Sequence, residues 1–109
     1  MKKIVNNIIP FKGFTAMTLW PFVFVRKDEE QNYTHIVERH ETIHGEQQKE
    51  MLIVLFYLWY LIEWLVKWIY HRNRTTAYKN ISFEREAYAN QYDVAYLDVR
   101  SHFSFLKYI

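Results

Sequence analysis

Glu38-Arg39-His40-Glu41-Thr42-Ile43-His44-Gly45-Glu46-Gln47-Gln48-Lys49-Glu50 is the stretch on which the reading of this chain turns. Within it, His40 and His44 stand four residues apart with Glu41 directly after the first. On an α-helix, positions i and i+4 share a face with Cβ atoms about 5–6 Å apart, so both imidazoles can converge on one cation. That is a zinc-ligand spacing. Glu41 lies about 100° around the helix from His40, off the shared ligand face but close enough to act on a water held there. It is placed as a general base. Ile43 is the only large apolar side chain of the stretch, so no apolar stripe can hold such a helix against a core. Gly45 costs a helix about 1 kcal/mol relative to Ala, which suggests that a backbone or a ligand comes close there.

Working outward, 109 residues make one domain, spanning 1–109, with room for a single modest core. Fourteen basic and twelve acidic side chains leave a formal net charge of +2 and no basic block, which excludes a nucleic-acid footprint. Cys is absent, so any transition metal must be held by His and carboxylate. Aromatic residues reach 19% with only two Gly and two Pro, which predicts long regular elements and a ring-rich core. Residues 1–13 read as an extended lead-in. Asn6, Asn7, Pro10, Lys12 and Gly13 interrupt any export-signal core, so the chain reads as cytoplasmic.

Phe14 to Val25 is aromatic, β-branched and threonine-rich and reads as strand, with Pro21 marking an edge or a break between two strands. A free edge there would pair with an extended peptide. Arg26 to Asn32 is a charged turn, and Thr34 is the expected cap of the histidine helix, which need not stop at Glu50. Met51 to Ile62 is uninterruptedly apolar, and the run resumes after Glu63 as far as Tyr70. It is short of the roughly 20 residues of a membrane span, and Glu63 and Lys67 sit at a pairing distance. A buried helix is the better reading, with a leftover apolar face that would seek a second copy or a membrane surface through residues 51–70. His71 to Asn80 is a basic connection, and Ser82 is the expected cap of a second long helix running to about Arg100. The aromatic tail, Ser101 to Ile109, is expected to pack.

Two histidines and a water leave tetrahedral zinc one protein ligand short. His35, His71, His102, Glu84 and Glu86 are the candidates. At this point the residues reach a resemblance. His40-Glu41-Thr42-Ile43-His44 followed by Glu84-Arg85-Glu86-Ala87-Tyr88 resembles the gluzincin metallopeptidases, in which a later helix supplies a glutamate ligand. The flanks Ala16-Met17-Thr18-Leu19-Trp20-Pro21-Phe22 and Gln47-Gln48-Lys49-Glu50-Met51-Leu52 are similar to those of small bacterial zincin-like proteins. The resemblance covers most of residues 13–100. It implies an α+β, minimal zincin-like domain, with a small N-terminal sheet or hairpin from residues 14–37 packed on two long helices. It also implies zinc on His40, His44 and Glu84, with Glu41 as the base of a peptidase that uses a zinc-activated water.

Substrate would lie along Ala16, Met17, Thr18 and Leu19. Glu86 would face solvent beside Arg85. Where the family pattern has an aspartate that orients a ligand histidine, this chain has Tyr88. The role of orienting a ligand histidine or stabilising an oxyanion falls to Tyr88 or His71, with Tyr78 and Tyr92 as further donors. The rival expectation is a non-catalytic, membrane-associated or oligomerising helical protein that keeps a vestigial metal site.

Overall fold

The polar stretch is a helix, α1, over His35–Glu50. Thr34 caps it as expected, its hydroxyl accepting from the Val37 N–H at 3.4 Å. Ile43 is its only fully buried large apolar side chain; His40, Glu41, His44, Gln47 and Gln48 are buried with it. A helix that buries so many polar groups must be held by hydrogen bonds rather than by an apolar stripe. Gln48 shows how. Its amide donates to the Thr18 carbonyl at 2.9 Å and accepts from the Trp20 N–H at 2.7 Å, so the side chain docks on a strand as a neighbouring strand would.

The computed structural model describes all residues, Met1–Ile109, and the fold is α+β. Strands β1 (Lys2–Asn6), β2 (Ala16–Leu19) and β3 (Phe22–Arg26) form one sheet in the order β1-β3-β2. Pro21 marks a break between two strands: β2 and β3 are an antiparallel hairpin around it, pairing Thr18 with Val23. β1 runs parallel to β3, pairing Ile4 with Phe24. The sheet therefore spans 2–26 rather than 14–37. The lead-in hides a strand because Lys2 and Lys3 interrupt its apolar pattern, while Lys27–Asn32 forms a 3₁₀ turn.

Helix α1 does stop at Glu50. Leu52 and Ile53 take positive φ, 55° and 59°, and the chain turns by 111° into α2 (Val54–His71). The expected second long helix is also interrupted. After α3 (Arg74–Lys79), α4 covers only Ser82–Asn90, and a turn separates it from the four-residue α5 (Tyr96–Val99). No single helix is long and apolar enough to cross a membrane.

The core is ring-rich as composition predicts. Phe56 of α2, Phe83 of α4 and Phe105 of a second 3₁₀ turn, Ser104–Tyr108, stack in series with centroids 4.4 Å apart at each step. The aromatic tail thus packs through Phe105. Ile81 completes the cluster, and Tyr57, Tyr60 and Trp64 pack around it.

Ser82 is the first residue of α4 rather than its cap, which is Ile81. The capping acceptor comes instead from another helix. Glu63 accepts from the Ser82 N–H at 2.5 Å and from its hydroxyl at 2.6 Å, and also holds Trp59 Nε1 at 3.0 Å and Lys67 at 3.4 Å. An acid at a helix N-terminus satisfies orphan donors and complements the dipole. Glu63→Ala would leave buried donors unmade, so it should cost about 2–4 kcal/mol. Denaturant unfolding checks this value, and a loss under about 1 kcal/mol would contradict the capping role.

Candidate metal centre

His40 and His44, one turn apart on α1, bring their Nε2 atoms to 3.1 Å from one another. The first turn of α4 brings Glu84, whose Oε1 lies 3.1 Å from each. All three side chains are buried. Of the five candidates for the third ligand position, only Glu84 reaches the histidines. His35 is exposed in the first turn of α1, and His102 is turned outward with Nδ1 3.3 Å from Glu50.

The outer nitrogens decide which atoms face inward. His44 Nδ1 meets Gln47 Oε1 at 2.7 Å. The orientation of that amide is fixed, because its nitrogen donates to the Phe83 carbonyl at 3.1 Å and to Glu86 Oε1 at 3.0 Å, both acceptors only. His44 therefore carries its proton on Nδ1 and turns the Nε2 lone pair inward. His40 Nδ1 meets Gln91 Oε1 at 2.8 Å in the same sense. Glu84 Oε2 accepts from the Tyr60 hydroxyl at 2.7 Å, leaving Oε1 for the cluster.

Three acceptor atoms so close repel unless a cation or a proton lies among them. A triangle with these edges has a circumradius of about 1.8 Å, just under the zinc–nitrogen bond length of about 2.0–2.1 Å. The three donors would hold one ion and leave a position open for water. Two imidazoles and a carboxylate also match zinc in ligand type. Burial works against a charged His44, but the Glu84 carboxylate outweighs it and raises the imidazole above its usual range. Burial likewise opposes a charged Glu84, yet His44 and the hydrogen bonds from both imidazoles hold the carboxyl far below the usual carboxylate value.

Glu41 is buried beside the cluster. Oε1 accepts from the Thr18 hydroxyl at 2.8 Å, and Oε2 lies 4.0 Å from His40 Nε2. Burial pushes its carboxyl up, and the two histidines pull it partly back. A carboxylate with strengthened proton affinity next to a candidate metal position has the placement of a general base.

The expected substrate strand is the edge strand β2. The Arg26 N–H donates to the Thr15 carbonyl, so by antiparallel alternation Met17 and Leu19 bond inward to β3, while Ala16 and Thr18 point their backbone groups outward. Tyr57 also donates to the Thr18 carbonyl at 2.5 Å, so Gln48 and Tyr57 cover that carbonyl and leave the edge open toward Ala16.

Other assignments need correction. Tyr88 touches His40 with its ring, edge-on at 4.5 Å, and spends its hydroxyl on Tyr78 at 3.2 Å. Gln91, and not Tyr88, makes the hydrogen bond to His40 Nδ1 that the resemblance expected of an aspartate at position 88. His71 packs on Tyr70 at the end of α2, eleven residues or about 16 Å along the helix from Tyr60, and is not part of the site. Tyr92 is exposed. Glu86 does not face solvent: it is fully buried, bonded to Arg100 at 2.5 Å and to Tyr96 at 2.7 Å. The C-terminal segment covers it. Gly45 makes room not for a ligand but for the tip of Met1, whose Sδ would lie 2.8 Å from an added Cβ.

Gln47, three residues after His44 and hence on its face, could have been found from spacing. No local signal marks Tyr60 or Gln91. A surface cavity of about 520 Å³ opens elsewhere, between β1 and the start of α1, and none of His40, Glu41, His44 and Glu84 lines it. No protein-family model, no curated protein and no solved structure matches this chain, so its function has to be read from the chemistry of the site itself.

Proposed function

We propose that the chain is a gluzincin-like zinc metallopeptidase that hydrolyses peptide bonds. The observation that carries this reading is the convergence of His40, His44 and Glu84 at mutual distances of 3.1 Å, with the Glu41 carboxylate beside them. Zinc held there would supply Lewis acidity, polarising a substrate carbonyl and lowering the pKa of a water toward about 7. The proton work falls to Glu41. Its Oε1 is anchored by Thr18, so Oε2 is the atom that takes a proton from water and delivers it to the leaving amine.

Burial strengthens the proton affinity of this carboxyl, which favours its taking a proton from water. A substrate backbone would lie against the open end of β2 at Ala16, where main-chain groups bind any sequence and leave side-chain selection to the surroundings. Gln47 and Gln91 keep the histidines in the ligating tautomer from outside, in place of the aspartate of the family pattern.

The test is hydrolysis of an unstructured protein such as casein. Cleavage should disappear with phenanthroline and return with added zinc. Zinc-loaded protein that cleaves neither casein nor a mixed peptide library would leave the metal site without its proposed activity.

A further inference from the structure

Helix α2 presents two unlike sides. Phe56, Tyr60, Glu63 and Trp64 face the core, whereas Leu58, Leu61, Ile62, Leu65, Val66 and Ile69 are all exposed, Ile69 at 79%. No polar side chain interrupts this outer side, because Glu63 and Lys67 are both engaged with the Ser82 and Asn80 backbone. With Val54, Trp68 and Tyr70 also exposed at its margins, the face is a contiguous apolar patch of the kind that marks an interaction site and calls for an occupant.

The charge around it points to which one. From Trp64 to Phe83 the sequence has no acid, and exposed Arg72, Arg74 and Lys79 follow the C-terminal end of the helix. The exposed acids belong to other parts of the chain: Asp28 and Glu30 on the first 3₁₀ turn, Glu38 on α1, and Asp93 and Asp98 in the C-terminal segment. A purely apolar helix face with exposed Arg72, Arg74 and Lys79 beyond its C-terminal end, and with Trp68 and Tyr70 able to sit at headgroup level, complements an anionic lipid surface. A second copy bound in parallel would instead bring like charges together at the rim. No single helix is long and apolar enough to span, and α2 meets α1 at 111°.

We infer that the outer face of α2 seats this protein on an anionic bilayer surface, lying in the interface with Arg72, Arg74 and Lys79 on the headgroups. This does not depend on the metal reading, and its test uses no activity. The full chain is co-sedimented with vesicles of phosphatidylcholine alone and of phosphatidylcholine mixed with phosphatidylglycerol, and binding should be stronger to the anionic vesicles and weaken with salt. A triple variant, Arg72→Asn, Arg74→Gln and Lys79→Gln, changes only exposed side chains; Asn also tolerates the left-handed backbone at Arg72. At about fivefold per charge it should bind anionic vesicles roughly a hundredfold less tightly. Leu65→Asp with Ile69→Asp should abolish binding to both kinds of vesicle.

Four results would overturn the inference. The protein could ignore both vesicles, or bind both equally with the triple variant unchanged. It could resist alkaline carbonate extraction, which would mean a span. Finally, it could leave vesicles free and run as a dimer that Leu65→Asp dissociates, which would make the occupant a second copy.

Discussion

Glu84→Ala should release zinc at a modest cost in stability, whereas Glu86→Ala should keep zinc at a larger cost in stability. Glu84 is one of only three protein donors that converge, so its loss should weaken zinc by more than the roughly 10–100-fold that an outer-shell loss costs. The structural effect is smaller. The Tyr60 hydroxyl loses its acceptor, for about 1–3 kcal/mol, and the two imidazoles lose their shared contact with Oε1. Glu86 lies on a different side of α4, where two positions along a helix are about 200° apart, and its oxygens hold Arg100, Tyr96 and Gln47. Breaking a buried ion pair on one side costs about 3–5 kcal/mol, and the lower end applies here because Arg100 keeps Glu50. Zinc titration against a chelating dye, run beside denaturant unfolding, separates the two effects. Full zinc affinity in Glu84→Ala together with its loss in folded Glu86→Ala would reverse the assignment.

Peptide hydrolysis by Glu41→Gln should fall by roughly 10²–10⁴-fold with zinc still bound. The substitution is close to isosteric, and an amide oxygen can still accept from the Thr18 hydroxyl, so the geometry around His40 is preserved. What is lost is the basic oxygen 4.0 Å from His40 Nε2. An amide neither takes a proton at neutral pH nor returns one to the leaving amine. The measurement is the initial rate of casein cleavage at equal zinc occupancy, which keeps metal loss from imitating loss of the base. A rate within about threefold of wild type would remove Glu41 from the general-base role.

The two clustered histidines were legible as neighbours because their signal is local. Four residues of helix separate His40 from His44, and helix geometry alone makes them neighbours. Glu84 is forty residues further on, and from the residues alone it competed with Glu86; the resemblance favoured it, and the way α4 is anchored by Glu63 now shows why it reaches the histidines. Glu86 was misread because exposure depends on what covers a helix, and its cover, Arg100 and Tyr96, comes from a C-terminal segment with no strong periodicity. Similarly, β1 is a strand because β3 pairs with it, not because its own residues insist on it. The ring-rich core followed directly from composition, yet the break at Leu52 and Ile53 did not, since two apolar residues at positive φ carry no sequence mark.

Everything in the proposed chemistry depends on whether the three converging donors hold a cation. The most direct measurement is metal content by mass spectrometry of wild-type protein purified without chelator and offered zinc at a pH of about 7.5, where unperturbed His is mostly neutral. The expected result is one zinc per chain in the wild type, with none retained by a His40→Ala, His44→Ala double variant. A folded wild-type protein that carries no zinc under those conditions, or that carries the same amount after both histidines are gone, would contradict the assignment of this site as a metal centre.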